Sequence, residues 1–244
     1  MTVALSASNI QVRYGRRVIF DKVDITIHHG RLTALIGPNG SGKSSLLRVL
    51  AGVQAANGGT VTGKTRPVLV APISNPPSDL TAADLASYGL ALRRPPWIWT
   101  TSAADRQKVD SALERCGLAA SAHAAVAELS AGEIQRAWVA AALAMQSEVL
   151  LIDEPTTHLD LRFQMEVLGM LRGLTHDGVA VVVALHDLTL AARFADEIAL
   201  LADSQLVVGP PEAVLTTEML SAAYGVSVNL HRHPQQGYLI CLPA

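Results

Sequence analysis

The sequence predicts an α/β protein built on a mainly parallel sheet. Three observations carry that expectation. Leu32–Ile36, Glu148–Asp153, Val179–Leu185 and Glu197–Leu201 are short apolar runs that read as buried strands. Helical segments at residues 44–51, 132–145, 161–174 and 188–194 separate them, the spacing of parallel strands joined by helices. Gly37, Asp153 and His186 each fall at the carboxyl end of such a run, where ligands of parallel sheets gather.

From the start of the chain, Ile10–Tyr14 and Val18–Phe20 flank a turn at Gly15–Arg17, and Val23–Ile27 alternates with period two. These segments predict an N-terminal antiparallel β subdomain. Tyr14, at a strand end, suits either edge-strand packing or stacking on a nucleotide base. Val61–Val70 reads as two short strands with a turn at Gly63 and Lys64. Residues 71–79 are dense in proline, serine and asparagine, a loop composition. Thr81 then caps a helix reaching about Leu92, with Asp84 three residues on. Residues 93–99 are irregular again, and Trp97 and Trp99 suit either a docking surface or a satellite core. Asp105–Cys116 is an amphipathic helix stopped by Gly117. After Gly209–Pro211 a tail of two helical turns and a hairpin through Tyr238–Cys241 is expected.

The stretch Gly37, Pro38, Asn39, Gly40, Ser41, Gly42, Lys43, Ser44, Ser45 fits G-x-x-x-x-G-K-[ST] between a strand and a helix. Glycines let backbone N–H groups approach an oxyanion, and the helix N-terminus adds its dipole. Lys43 would reach the β- and γ-phosphates and Ser44 would ligate Mg²⁺. The fold class is therefore α/β: a phosphate-loop NTPase core with a mainly parallel sheet, an N-terminal antiparallel β subdomain and an inserted helical subdomain. Asp153 suits the Mg²⁺ role, directly or through water, and Glu154 the orienting or deprotonation of an attacking water. A neutral His186 would donate to a phosphate oxygen and hold water and acid in register. Ser130 and Glu133 form a capping box for the following helix. That box explains the serine and the glutamate but not Gly132, a poor helix former that would open the helix start to a phosphate.

The chain has 244 residues, half of them hydrophobic, enough for a substantial core. A formal net charge of −2 gives no support for nucleic-acid binding. The longest apolar runs, Ala137–Met145 and Val179–Leu185, fall far short of the ~20 residues of a membrane span. Met1–Asn9 lacks a basic start and a long apolar block, and Cys116 and Cys241 show no metal spacing. A cytoplasmic protein attached to another component is the expectation.

In these residues the chain resembles the nucleotide-binding subunits of ATP-binding-cassette (ABC) transporters, over residues 3 to about 230 and in the family's order. Gly37–Ser45 resembles the Walker A loop and Leu150–Glu154 Walker B with its catalytic glutamate. Leu129–Arg136 resembles the signature motif, with Ala131 in place of the first glycine of its pair. Thr157–Asp160 resembles the D-loop, with Asp160 at the dimer contact, His186 the switch histidine, and Tyr14 the aromatic that stacks on adenine. The resemblance divides one domain, 1–244, into an α/β core (1–73 and 131–209), a helical insert (74–130) and a C-terminal extension (210–244). It implies ATP and Mg²⁺, and a second copy of the chain whose Ser130, Ala131, Gly132 and Glu133 close over the first copy's ATP. It also implies a permease docked on the insert, an extracytoplasmic substrate-binding protein reached through that permease, and a peripheral place on the cytoplasmic face of the membrane.

A narrower resemblance, to the ATPases of iron-siderophore, haem and cobalamin importers, rests on Thr157–Leu161, His186–Arg193, Arg94 and Pro95, Gly209–Glu212 and Val214–Thr216. An exporter ATPase, or a soluble relative acting in translation, DNA maintenance or iron–sulfur assembly, is the alternative. Two departures stand out. Where the family has a glutamine after the strand at Val68–Val70, this chain has Pro72 and Ile73, with Ser74 and Asn75 as polar stand-ins. Asp203–Gln205 replaces a customary glycine turn.

Overall fold

The computed structural model describes residues 2–71, 78–91, 102–157 and 159–244. Pro72, Ile73, Ser74, Asn75, Arg94, Pro95, Trp97, Trp99 and His158, and with them the missing-glutamine segment and the tryptophan patch, lie outside the described residues.

The chain begins with a long hairpin, β1 (Val3–Tyr14) and β2 (Arg17–His28), followed by β3 (Leu32–Ile36) and α1 (Lys43–Leu50). The turn expected after Tyr14 joins the two strands, and the segments Val18–Phe20 and Val23–Ile27 belong to one strand, β2, whose pairing with β1 is interrupted by register shifts. β4 (Gly58–Gly63) and β5 (Val68–Val70) follow, then α2 (Ala82–Ala91), α3 (Ala103–Arg115) and α4 (Ala131–Ala144). The remaining elements are β6 (Val149–Asp153), α5 (Leu161–His176), β7 (Ala180–Ala184), α6 (Leu188–Phe194), β8 (Glu197–Ala202), β9 (Gln205–Gly209), α7 (Pro211–Val214), α8 (Thr217–Tyr224), β10 (Val228–Arg232) and β11 (Leu239–Pro243).

The central sheet has the order β5-β6-β7-β3-β8-β9 and is parallel except for β9, which runs antiparallel to β8. Every residue of β3, β6 and β7 is buried. Their alternate side chains enter two different cores. Leu150, Ile152, Val181 and Val183 pack with residues of α2 to α6 on one face. Val149, Leu151, Val182 and Ala184 pack with α1 and the antiparallel sheet β2-β1-β4 on the other. Burial on both faces is why these strands, Thr33 and the terminal Asp153 excepted, are apolar at every position instead of alternating.

The helix starts follow local chemistry. The Thr81 hydroxyl accepts from Asp84 N at 3.1 Å, while Asp84 Oδ2 accepts from Thr81 N at 2.9 Å. Ser102 and Asp105 form a second capping box, so α3 begins two residues before the predicted start. Strand β9 was not foreseen. It follows a tight turn at Asp203 and Ser204, whose φ values of 48° and 63° replace the customary glycines with residues in the left-handed region. Cys116 and Cys241 are free thiols, raised by burial to about 12 and about 11, consistent with structural roles.

One polar knot ties the helical face to the sheet. The Asp196 carboxylate accepts from the backbone N–H of Leu32 at 2.9 Å and pairs with Arg172 of α5. Burial pushes the Asp196 pKa up, but Arg172 and the Leu32 amide outweigh it and the net shift is downward. A depressed folded-state pKa gives stability that is present above the ordinary carboxylate range and is lost as pH falls through the lowered value. We expect Asp196→Asn to destabilise the fold at pH 7 by about 2 kcal/mol, since it weakens charged hydrogen bonds. In thermal unfolding, the gap between wild type and variant should narrow as pH is lowered below 4. A gap independent of pH would remove the charge from this role.

Candidate functional site

At the carboxyl end of β3 the chain turns sharply into α1. Gly37 has φ 149°, and a Cβ there would lie 2.1 Å from the backbone oxygen of Leu201, so only glycine fits. Gly42, at φ 107°, is the N-cap of α1 and provides no side-chain cap, leaving the first amides of the helix without one. Lys43 is 5 % exposed, and its Nζ donates to the carbonyls of Gly37 at 2.8 Å and Pro38 at 3.2 Å. The ammonium thus lies under a closed loop containing Asn39, Gly40 and Ser41. Burial lowers the Lys43 pKa, while the carboxylates of Glu154 and Asp153 act in the opposite direction.

Asp153 ends β6 beside this loop. Burial raises its pKa and a hydrogen bond from Ser44 opposes the rise. Its Oδ1 is buried without a partner. A carboxylate oxygen left bare next to a serine hydroxyl matches the hard oxygen donors that Mg²⁺ prefers, so the residues present fit that ion.

Glu154 follows with φ 50°, a left-handed conformation uncommon outside glycine. The turn brings its carboxylate to His186, which follows β7: His186 Nε2 lies 2.7 Å from Glu154 Oε1. Glu154 Oε2 is 3.3 Å from the Thr157 hydroxyl. The adjacent strands β6 and β7 therefore deliver an acid and an imidazole as a contacting pair, a closer relation than the sequence pattern indicated.

Tyr14, at the end of β1, borders the same space. It lines a cavity of about 300 Å³ with Arg17, Asn39, Lys43, Ser45 and Glu154. Asp160, Ser130, Ala131, Gly132 and Glu133 do not line it. They form a second group at two neighbouring helix starts. Ser130 caps α4 in a reciprocal box with Glu133, whose pKa is lowered by the Ser130 amide and hydroxyl. Asp160 caps α5 by accepting from Phe163 N at 3.0 Å. A Cβ on Gly132 would stand 2.8 Å from Phe163 Cδ1, so this glycine also serves the close packing of α4 on α5. Phe163 carries no sequence signal of its own.

A larger cleft, of about 910 Å³, lies at the opposite, amino ends of the strands, lined by His29, Arg115, Glu148 and Asp177 among others. Its acids are matched by bases: Arg115 with Asp177 at 2.8 Å and His29 with Glu148 at 3.9 Å. It shares no residue with the phosphate-loop cavity. No group of three or more metal-binding side chains occurs among the described residues.

A family model described as ABC transporter matches residues 20–157. The chain is 36% identical to the hemin import ATP-binding protein HmuV of Thermobifida fusca, over 99% of this chain and 89% of that protein. It is 34% identical to the iron(3+)-hydroxamate import ATP-binding protein FhuC of Bacillus subtilis, over 98% of this chain and 94% of that one. A solved structure described as an inward-facing conformation of a metal-chelate type ABC transporter matches with a TM-score of 0.91 at 25% identity, covering 100% of this chain and 98% of that chain.

Proposed function

The chain belongs to the ABC transporter family, an ATP-hydrolysing family, and from that premise we propose that it powers import of a metal chelate of the siderophore or haem class through a membrane permease. The observation that carries the catalytic part is the 2.7 Å contact between His186 Nε2 and Glu154 Oε1 beside the phosphate loop. In this reading the loop amides of Gly37–Ser45, Pro38 excepted, and the Lys43 ammonium hold the triphosphate, and Tyr14 stacks on adenine. Glu154 accepts the proton of the attacking water, and His186 fixes the carboxylate that does so. Ser44 and Asp153 would hold Mg²⁺, which supplies charge neutralisation at the phosphates when bound.

Two copies are proposed to face head to tail, with Ser130, Ala131, Gly132 and Glu133 of one closing over the ATP of the other and Asp160 near the contact. The separation of these residues from the 300 Å³ cavity within one chain supports a site completed by a second copy. The permease is proposed to dock on the helical insert. An apolar slot where the insert meets the core, between Val68–Ala71 and the exposed Tyr88 with Trp138, supports that choice. No helix among the described residues is long and apolar enough to cross a membrane, which fits a peripheral subunit that needs a permease. An extracytoplasmic binding protein would deliver the cargo to that permease. The import names of HmuV and FhuC favour this direction over export or a soluble role.

Co-purification from membranes tests the proposal. The expected result is a permease retained with the chain and ATPase activity stimulated by cargo-loaded binding protein. A chain that hydrolyses ATP but retains no permease would refute the transport role.

Gly132→Ala probes the second-copy contact. The added methyl overlaps Phe163, at a cost of about 2 kcal/mol, or roughly thirtyfold in activity if the strain falls on the closed dimer. Phe163→Ala in the same chain removes the overlap. Continued loss of ATPase in the double variant assigns Gly132 to the partner's ATP, whereas recovery assigns it to helix packing alone.

A further inference from the structure

Tyr14 is 52% exposed at the mouth of the phosphate-loop cavity, and a ring with that freedom needs something to hold it. Its hydroxyl provides the hold. It donates to Gln54 Oε1 at 3.0 Å and lies 3.2 Å from Ser45 Oγ. A phenol has one proton, and with that proton committed to Gln54 the serine is the donor in the second bond.

Gln54 is itself fastened. The amides of Val53 and Gln54 both donate to the carbonyl of Arg48 in α1, at 2.9 and 3.1 Å. Three residues further on, Asn57 N donates to Gln11 O at 2.8 Å and Asn57 Oδ1 accepts from Arg13 N at 2.7 Å. The turn after α1 is therefore pinned to the helix at one end and to β1 at the other. Tyr14 ends β1 and Ser45 sits in the first turn of α1, so the two hydroxyl bonds close a small framework around the ring.

We propose that Gln54, with Ser45, is a positioning residue for the nucleotide base: it holds the Tyr14 ring at a fixed height above the phosphate loop so that base and triphosphate are bound together. This rests on the reading of Tyr14 as the base platform. Gln54 does not line the phosphate-loop cavity and acts through Tyr14. Tethering by the hydroxyl leaves the ring face open for stacking while removing the rotamer freedom that would weaken it.

The test uses the purified chain, four single variants and one double variant. Tyr14→Phe keeps the aromatic face but loses both bonds, and Gln54→Ala removes the acceptor. Each is expected to raise the ATP KM about fivefold, part of what a base–aromatic stack contributes, against a smaller change in kcat. Combined, they should do no more than Tyr14→Phe alone, because that variant already breaks the link to Gln54. Gln54→Glu keeps an acceptor and should restore most of the affinity. Inorganic tripolyphosphate, which has no base, should inhibit all of these proteins equally. An unchanged ATP KM in Tyr14→Phe and Gln54→Ala, with Tyr14→Ala impaired, overturns the positioning role and leaves the platform intact. An unchanged KM in Tyr14→Ala overturns both. Weakened tripolyphosphate inhibition in Gln54→Ala would also overturn it, since the effect would then run through α1 and the phosphate loop.

Discussion

Glu154→Gln should slow ATP hydrolysis by about a thousandfold, the scale of losing a general base, while ATP still binds. Glutamine has nearly the same shape and can keep hydrogen bonds to His186 and Thr157, which now hold the carboxylate at 2.7 and 3.3 Å. The left-handed backbone at residue 154 is no more strained with glutamine than with glutamate, so the turn survives. What disappears is the ability to accept a proton. Without hydrolysis the nucleotide stays in place, and the second expected observation is a stable ATP-bound dimer in size-exclusion chromatography. Single-turnover phosphate release at near-normal rate would take Glu154 out of the reaction.

Lys43→Ala should weaken ATP binding about a hundredfold, the loss of roughly 3 kcal/mol of hydrogen bonding by a charged donor. The structure gives this substitution two routes of action. Lys43 Nζ braces the loop by bonding to Gly37 and Pro38 carbonyls, and it is also the cation closest in sequence to the proposed phosphate site. Equilibrium binding of a fluorescent ATP analogue measures the total effect. Thermal unfolding without nucleotide isolates the bracing, because no phosphate is then present. A large drop in melting temperature with a matching fall in affinity would make Lys43 chiefly a strut. Unchanged stability with lost affinity is the expected outcome, since the Gly37 and Pro38 carbonyls can accept from water once the ammonium is gone. Unchanged affinity would refute the phosphate contact.

Much of this architecture could be read before any coordinates. The apolar runs of β3, β6 and β7 announce strands buried on both faces, and the glycine spacing from Gly37 to Gly42 announces a loop that only those residues can form. The capping residues Thr81 and Ser130 mark helix starts because a single side chain decides where a helix begins. Other features were hidden. β9 lacks a glycine turn to announce it, since Asp203 and Ser204 take up the left-handed conformation instead. The Phe163 contact with Gly132 and the Tyr14–Gln54 bond join residues 31 and 40 positions apart, and no local pattern encodes such a pairing. The distance from His186 to Glu154 depends on the neighbouring placement of β6 and β7, a property of the sheet and not of either segment.

The position of β3 in its sheet has a bearing on how the chain is made. β3 carries the phosphate loop, yet its hydrogen-bonded neighbours are β7 and β8, beginning with Leu32 against Val181 and Thr33 against Glu197. As the polypeptide leaves the ribosome, that strand has no partner until roughly 150 further residues have been synthesised, a long wait for a contact of high sequence separation. The β1–β2 hairpin can form early, because its pairs are close in sequence. The emerging N-terminal third is then a hairpin bearing an unpaired strand that is apolar but for Thr33, a segment that invites chaperone binding. The nucleotide loop, translated early, is among the last of the functional segments to acquire its shape.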